Sequence, residues 1–223
     1  KKIEMRLYKQ HDFRLYVITN SALLGEEDLE MKVKEIIANG ATVIQLRGKT
    51  LPLRAFLKMA LLMRRIIEPP TLFIINDRVD IATACQADGV HIGQKDMPLE
   101  MARQILGDHR IIGMSTHSVK QAQEAAKEGA DYVAIGPIFS TSSKPEVGPP
   151  KGTQIISQVK ETVEIPVVAI GGINLNNMNK TLKAGADGIA VINAVFQEAD
   201  VGLATRMLSE RMRKCSDQGT DTA

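Results

Sequence analysis

The sequence contains no tryptophan and few other aromatic residues, and this scarcity already argues against some functions. Aromatic residues make up 4% of the 223 residues. Proteins that bind single-stranded nucleic acid without sequence preference stack the bases on aromatic side chains, so this chain is a poor candidate for that class. The formal net charge of +2 gives no broad basic surface for nucleic acid or for an anionic membrane. We therefore expect neither a nucleic-acid partner nor a membrane partner.

Cysteine and long apolar runs are also scarce. The two cysteines, Cys85 and Cys215, provide neither a disulfide framework nor the spacing of metal ligands, which fits a reducing compartment. No apolar run approaches the roughly 20 residues of a membrane span, and no signal-peptide pattern opens the sequence. We therefore expect a cytoplasmic protein. Whether the native N-terminus is present, and whether the chain forms homo-oligomers, is left open.

Strand-like and helix-like segments alternate along most of the chain, with an ordinary 44% of apolar and 24% of charged residues. Alternation of this kind predicts parallel strands joined by right-handed crossovers. Eight strands, the number that closes a (β/α)8 barrel, are expected near 14–20, 41–49, 72–77, 89–93, 111–116, 132–138, 166–172 and 188–194. Eight helices are expected near 26–39, 53–67, 78–86, 98–106, 118–128, 153–163, 174–184 and 199–213. We predict one α/β domain, a TIM barrel over 14–214, after a lead-in segment 1–13 and before a disordered tail 215–223.

A short repeated motif favours the closed barrel over a doubly wound open sheet. The copies are Asn39-Gly40-Ala41-Thr42, Glu128-Gly129-Ala130-Asp131 and Ala184-Gly185-Ala186-Asp187, with a weaker one at Gln86-Ala87-Asp88-Gly89. All of them precede even-numbered strands, and alternate strands of a barrel supply alternate layers of its interior. The alternative is that loops between helices and strands favour Gly-Ala-Asp everywhere.

A long loop follows the sixth strand, within the stretch Tyr132 to Gly152. A connection between a strand and a helix usually takes about 2–6 residues, so this loop is unusually long. It carries the hydroxyl side chains of Thr141, Ser142 and Ser143, followed by Lys144. Hydroxyl donors beside an ammonium group in an irregular backbone suit an oxyanion such as phosphate. The alternative is a solvated surface loop.

The second strand carries polar residues at alternating positions towards its carboxyl end. Gln45 and Arg47 share one face of the strand, and Lys49 follows. An amide and two cations at the mouth of a barrel predict a site for a multiply charged anion such as a diphosphate. The alternative is that Arg47 forms a structural ion pair with a neighbouring strand.

Two acidic residues follow adjacent strands. Asn76-Asp77 ends the third strand, and Asp96 comes shortly after the fourth. Two carboxylates near a diphosphate site are what Mg²⁺ prefers, with the remaining oxygens from phosphate and water. The alternative is that Asp77 and Asp96 are N-caps of the helices that follow them. Of the polar residues nearby, His91 is interpreted as a core histidine. Ser115 and His117, at the end of the fifth strand, are either substrate-facing or loop residues, and Ser115 is preferred as a contact.

The seventh and eighth strands end in small residues. Gly171 and Gly172 follow the seventh strand, and Val191 and Ile192 end the eighth. Barrels of this kind often bind a phosphate monoester between these two ends, where glycine lets the backbone approach closely. Because the cationic residues of the second strand lie on the opposite arc of the mouth, we expect two small phosphorylated substrates.

Several motifs together resemble the thiamine phosphate synthase family. They are QLRGK, INDRVDIA, GVHIGQKD, GPIFSTSSK, AIGGI and GADGIAVINA, and the resemblance extends from Leu15 to about Leu208. It implies a transferase that joins a hydroxymethylpyrimidine diphosphate to a thiazole ethyl phosphate, releasing diphosphate and giving thiamine phosphate. The implied pyrimidine-diphosphate contacts are Gln45, Arg47, Lys49, Asn76, Ser115 and Lys144. The implied thiazole-phosphate contacts are Thr141, Ser143, Gly171, Gly172, Val191 and Ile192, and the implied Mg²⁺ ligands are Asp77 and Asp96.

From these contacts we infer a dissociative substitution in which Arg47, Lys49 and Lys144 are catalytic, because they stabilise the departing diphosphate. Two departures from the family pattern retain hydrogen-bonding capacity: Ser143 replaces a threonine, and Asn193 stands where serine is common. The alternatives are a thiazole tautomerase with the same barrel, which would ignore EDTA, and a non-catalytic regulator that binds a phosphate ligand. A phosphosugar isomerase would need a flanking carboxylate or cysteine pair that we cannot identify.

Overall fold

The computed structural model describes residues 11–19, 26–141 and 148–217. The strands are β1 (Leu15–Ile18), β2 (Val43–Leu46), β3 (Leu72–Asn76), β4 (Gly89–Ile92), β5 (Ile111–Thr116), β6 (Tyr132–Ile135), β7 (Val167–Ile170) and β8 (Gly188–Val191). The helices are α1 (Glu26–Ala38), α2 (Leu53–Ile66), α3 (Val79–Ala84), α4 (Leu99–Leu106), α5 (Val119–Glu128), α6 (Gln154–Lys160), α7 (Met178–Lys183), α8 (Asn193–Phe196) and α9 (Val201–Asp217). None of these helices is both long and apolar enough to cross a membrane.

Within the described residues, eight parallel strands close into a barrel in sequence order, which confirms the predicted (β/α)8 fold. Leu15 of β1 is in register with Ile189 of β8, so the sheet has no free edge. The strands are almost entirely buried and apolar, because helices cover the outside and side chains fill the inside. A small cluster that includes Tyr16, Val43 and Tyr132 fills the barrel interior, and a larger cluster lies between strands and helices.

The repeated motif ties the even-numbered strands to the odd-numbered ones. In each copy, the side chain of the Thr or Asp residue accepts a hydrogen bond from a backbone N–H of the preceding strand. These bonds run from Leu15 to Thr42 (3.1 Å), Phe73 to Asp88 (2.7 Å), Ile112 to Asp131 (2.7 Å) and Val167 to Asp187 (2.7 Å). The residue two positions before that Thr or Asp has a positive φ in every copy, including Gln86 at 54° in the weaker one. The motif is therefore a fourfold structural repeat at the amino-terminal end of the barrel.

Most strands and several helices are shorter than expected; helix α7, for example, begins at Met178 rather than 174. Strand β6 ends at Ile135 rather than 138, because Pro137 has no N–H to continue a ladder. Strand β8 ends at Val191 rather than 194, and the short helix α8 follows it. Helix α9 continues to Asp217, beyond the expected start of the tail at 215. Residues 1–10 of the lead-in segment and 218–223 of the tail lie outside the described residues.

Candidate active site

The polar residues expected at strand ends gather at the carboxyl-terminal rim of the barrel. Gln45 and Asn76 are buried at the ends of β2 and β3, with 2% and 5% of their surfaces exposed. Arg47 is half-buried, and its backbone N–H donates to Thr19 Oγ1 at 3.2 Å, which ties it to the end of β1. Lys49 Nζ lies 3.4 Å from Asp77 Oδ2. The ends of β1, β2 and β3 therefore present the predicted groups on one arc of the rim.

The carboxyl groups of Asp77 and Asp96 are close enough to perturb each other. Burial raises the pKa of Asp77, and the charge and hydrogen bonding of Asp96 raise it further, whereas Lys49 lowers it. Asn76 Nδ2 donates to Asp77 Oδ1 at 2.6 Å, and the backbone N–H of Gly93 donates to Asp96 Oδ2 at 2.7 Å. These bonds fix the orientation of two acidic groups that repel each other.

Neither aspartate caps a helix, so the capping alternative is wrong. The residues at the N-cap positions of α3 and α4 are Arg78 and Pro98, and neither helix start has a capping bond from that side chain. Asp77 has the left-handed conformation, with φ at 63°, which turns the chain away from the strand before α3 begins. Its carboxylate contacts Asn76 and Lys49 at the rim, and these contacts rather than the following helix set its orientation.

The side chains of Asp77, Asp96 and Asn76 fit a divalent metal ion whose remaining coordination positions are filled by substrate and water oxygens. No group of three or more His, Cys, Asp or Glu side chains within the described residues could hold a metal ion. Asn76 Oδ1, however, is buried next to the acidic pair without a hydrogen-bond partner among those residues. Mg²⁺ commonly takes one or two protein carboxylates and fills its other positions with phosphate and water oxygens. Two carboxylates and an amide oxygen match that donor set.

A chain of buried hydrogen bonds crosses the barrel interior from Gln45 to Ser115. Gln45 Nε2 lies 2.6 Å from the Tyr16 hydroxyl, which lies 2.8 Å from the Tyr132 hydroxyl. The Tyr132 hydroxyl lies 2.9 Å from His91 Nδ1, and His91 Nε2 lies 2.8 Å from Ser115 Oγ. Burial raises the pKa of Tyr16 and of Tyr132, so both hydroxyls keep their protons. The interpretation of His91 as a core histidine is confirmed, since it is 5% exposed and both ring nitrogens have partners.

A cavity of about 340 Å³ opens on the opposite arc, between the ends of β5 and β8. Six residues expected to contact substrate line it: Ser115, Thr141, Gly171, Gly172, Val191 and Ile192. The start of helix α8 at Asn193 and Ala194 also lines the cavity, so backbone N–H groups at a helix start border the space. Ser143 and Lys144, which complete the predicted loop site, lie outside the described residues.

The backbone at Gly172 packs against the loop that follows β6. Gly172 has φ at 64°, and a Cβ there would lie 2.3 Å from the carbonyl oxygen of Ser140. Only glycine allows this approach without displacing the loop. Asn177 Nδ2 donates to the Gly172 carbonyl at 2.9 Å and holds the turn from the other side. The paired glycines therefore shape the wall of the cavity.

Sequence reasoning did not assign Tyr16 or Tyr132 to the site, and it left His117 open. The two tyrosines read as ordinary strand residues, since nothing in the sequence indicates that they meet across the barrel. His117 lines the cavity, and its Nδ1 lies 2.7 Å from the Gly136 carbonyl. Its place directly after β5, near Ser115, was the available signal. Ser115 links the two arcs, because it both lines the cavity and contacts His91.

The closed barrel, with an acidic pair and a glycine-walled cavity at the carboxyl ends of its strands, defines a (β/α)8-barrel enzyme. Residues 15–195 match the model of a protein family described as thiamine monophosphate synthase. The chain therefore belongs to the thiamine monophosphate synthase family, whose members are enzymes of thiamine biosynthesis.

Similar proteins from distant organisms carry the same description. A thiamine-phosphate synthase of Clostridium novyi is 43% identical over 202 residues, which cover 89% of this chain and 98% of that protein. One from Roseiflexus castenholzii is 45% identical over 199 residues, covering 88% of this chain and 86% of that protein. The solved structure of thiamine phosphate pyrophosphorylase from Pyrococcus furiosus is 40% identical, with a TM-score of 0.84. The match covers 93% of this chain and 98% of the Pyrococcus furiosus chain.

Proposed function

We propose that the chain condenses 4-amino-2-methyl-5-hydroxymethylpyrimidine diphosphate with 4-methyl-5-(2-phosphoethyl)thiazole. The bond between the pyrimidine methylene carbon and the diphosphate oxygen breaks first, and diphosphate leaves with the electron pair. The aminopyrimidine ring carries the resulting positive charge. The thiazole nitrogen then donates its lone pair to the methylene carbon, which gives thiamine phosphate. No enzyme nucleophile takes part, so catalysis consists of positioning and electrostatic stabilisation.

The arc formed by β2, β3 and β4 would bind the diphosphate. Arg47, Lys49 and Lys144 would stabilise the negative charge that develops as the diphosphate departs. Asp77 and Asp96, with the Asn76 amide oxygen, would hold Mg²⁺, which when bound supplies further charge neutralisation to the diphosphate. The proximity of Asp77 to Asp96 supports this assignment, because two carboxylates that lie close together favour a bound cation.

The cavity between β5 and β8 would bind the thiazole phosphate. Its monoester would lie near Gly172 and the start of α8, with Thr141 and Ser143 donating from the loop. The observation that carries the proposal is the connection of the two arcs through Ser115. Ser115 belongs to the cavity wall and also to the hydrogen-bonded chain that ends at Gln45. Reactants held on the two arcs would meet above the barrel interior.

The proposal is tested by incubating the full chain with both substrates and Mg²⁺ and measuring thiamine phosphate and released diphosphate. We expect equal amounts of the two products, loss of both with EDTA, and recovery when excess Mg²⁺ is restored. Conversion of thiazole phosphate alone, unaffected by EDTA, would instead identify a tautomerase. Absence of both activities, with the thiazole phosphate still bound, would identify a non-catalytic binding protein.

Lys144 lies outside the described residues, so its role depends on the family resemblance. We expect Lys144→Ala to lower turnover by about 10²-fold or more, on the scale of one preorganised charge. Near-normal turnover of this variant would remove Lys144 from the catalytic set. A cytoplasmic location is part of the same proposal, because Cys85 and Cys215 are both free thiols.

A further inference from the structure

The buried hydrogen bonds between Gln45 and Ser115 form one continuous chain in which each group has a limited number of protons. An amide nitrogen can only donate, a phenol has one proton, and a neutral imidazole has one donor nitrogen and one acceptor nitrogen. Gln45 Nε2 faces the Tyr16 hydroxyl, so Tyr16 accepts from Gln45. The buried Tyr16 proton is satisfied only if Tyr16 donates it to Tyr132, its other partner among the described residues. The direction of the first bond thus determines the direction of the second.

The same reasoning continues to the other end of the chain. Tyr132 accepts from Tyr16, so its proton goes to His91 Nδ1. A neutral His91 that accepts at Nδ1 carries its proton on Nε2 and donates it to Ser115 Oγ. The Ser115 hydroxyl proton then has no acceptor among the described residues and is available to a ligand. At the opposite end, Gln45 Oε1 has no donor among those residues and is available as an acceptor.

We propose that Tyr16, Tyr132 and His91 are positioning residues that set Gln45 as an acceptor and Ser115 as a donor towards the aminopyrimidine ring. An exocyclic amine donates hydrogen bonds and a ring nitrogen accepts them, so the two ends are complementary to this ring. The identity of the ligand rests on the proposed function; the proton order of the chain does not. Uncharged, ordered groups would recognise the ring, while the charged groups of the rim bind the diphosphate.

Packing holds the middle of the chain in place. Tyr132 is fully buried, and its ring lies against Phe13 with centroids 4.6 Å apart. Gly113 is in register with Tyr132 on the neighbouring strand, and a Cβ at Gly113 would lie 2.0 Å from Tyr132 Cζ. The tyrosine side chain thus occupies space that any other residue at 113 would fill. Because an unpaired buried polar group is costly, reversing one bond requires reversing all of them.

The direct test is the tautomer of His91, measured by nitrogen-15 NMR of the full chain with labelled histidine and without substrate. His91→Gln assigns the signal among the four histidines. We expect the imidazole proton on Nε2, with Nδ1 as the accepting nitrogen. A proton on Nδ1 would mean the reversed order, with the Gln45 amide turned over, and would overturn the proposal. A protonated imidazolium would overturn it as well.

The consequence for binding is tested with Tyr132→Phe, which removes only the hydroxyl. Calorimetry with Mg²⁺ should show the Kd of the pyrimidine diphosphate rising about tenfold, the scale of one buried hydrogen bond, and the Kd of inorganic diphosphate unchanged. The matched control is Ile74→Val, an apolar truncation in the same interior cluster, which should change neither Kd. Equal loss for both ligands in Tyr132→Phe, or no loss for either, would contradict the proposal.

A second variant protects the test against misfolding of the first. Tyr16→Phe separates Gln45 from the chain but leaves Tyr132 able to donate to His91. We expect the same selective loss of pyrimidine affinity with an unchanged His91 tautomer; an unchanged affinity for the pyrimidine diphosphate would exclude Tyr16 from the positioning role. If the wild-type chain makes no thiamine phosphate, the proposed function fails, whereas the tautomer measurement still decides the proton order.

Discussion

The two ends of the barrel use acidic residues in opposite ways. At the amino-terminal end, three aspartates of the repeated motif each accept a backbone N–H and also form an ion pair. The pairs are Asp88 with Arg64 at 3.0 Å, Asp131 with Arg103 at 2.6 Å and Asp187 with Lys160 at 2.8 Å. At the carboxyl-terminal rim, Asp77 and Asp96 instead lie against each other, and the ion pair of Asp77 with Lys49 is longer, at 3.4 Å. The paired charges at the amino-terminal end stabilise the closure of the barrel, whereas the proposed function assigns the close acidic pair at the rim to a metal ion.

The largest expected effect concerns stability at the amino-terminal end. Asp131→Ala should lower the free energy of unfolding by about 3–5 kcal/mol, because it leaves a buried Arg103 without its carboxylate. The side chains of the pair are only 11% and 12% exposed. Asp187→Ala is the matched control, since Lys160 is 31% exposed, and should cost about 1–2 kcal/mol. Urea denaturation measures both variants, and equal costs would contradict the role of burial.

The next effect concerns activity at the rim. Asp77→Asn keeps the size of the side chain but removes a charge from the acidic pair, and should lower turnover by about 10²-fold or more. The free energy of unfolding without Mg²⁺ should stay the same or rise, because the repulsion from Asp96 is lost. Steady-state kinetics and urea denaturation on the same preparation test both statements. A variant that is less stable but fully active would reverse the comparison between the two ends.

A smaller effect is expected where the rim depends on shape rather than charge. Gly172→Ala would force a Cβ against the Ser140 carbonyl. We expect the KM for thiazole phosphate to rise about tenfold, which corresponds to the loss of about one hydrogen bond. The KM for the pyrimidine diphosphate should change little. Gly107→Ala is the control, because Gly107 also has a positive φ but no atom within 4 Å of an added Cβ. A similar loss in both variants would assign the effect to backbone strain.

The smallest effect is a pH dependence of stability. The pKa of Asp77 is raised above the 3.8 of an ordinary aspartate, mainly by burial and then by Asp96. The folded chain therefore holds this proton more tightly than the unfolded chain, and stability falls as the pH rises from 3.8 through the raised pKa. The Asp77→Asn variant should not show the part of this loss of stability that comes from Asp77. Thermal unfolding in EDTA across this range measures it, and parallel curves for the two proteins would contradict the raised pKa.

The sequence was informative wherever a signal was local. Apolar runs bounded by the repeated motif predicted the strands and their closure, and polar residues at strand ends predicted Gln45, Asp77 and Ser115 at the rim. Helix α8 was missed because it has only four residues, and Ala194, Val195 and Phe196 continue the apolar pattern of β8. The hydrogen bond between Tyr16 and Tyr132 could not be foreseen, because it joins residues 116 positions apart. Contacts across the barrel depend on how the strands are staggered when the sheet closes, and a local sequence pattern does not indicate this stagger.

The central claim is that one rim binds a metal-associated diphosphate on one arc and a phosphate monoester on the other. A crystal structure with thiamine phosphate, diphosphate and Mn²⁺ in place of Mg²⁺ tests it most directly. We predict anomalous density for the metal between Asp77 and Asp96, and the monoester in the cavity next to Gly172. Metal density away from both carboxylates, or the monoester bound beside Arg47, would contradict the account.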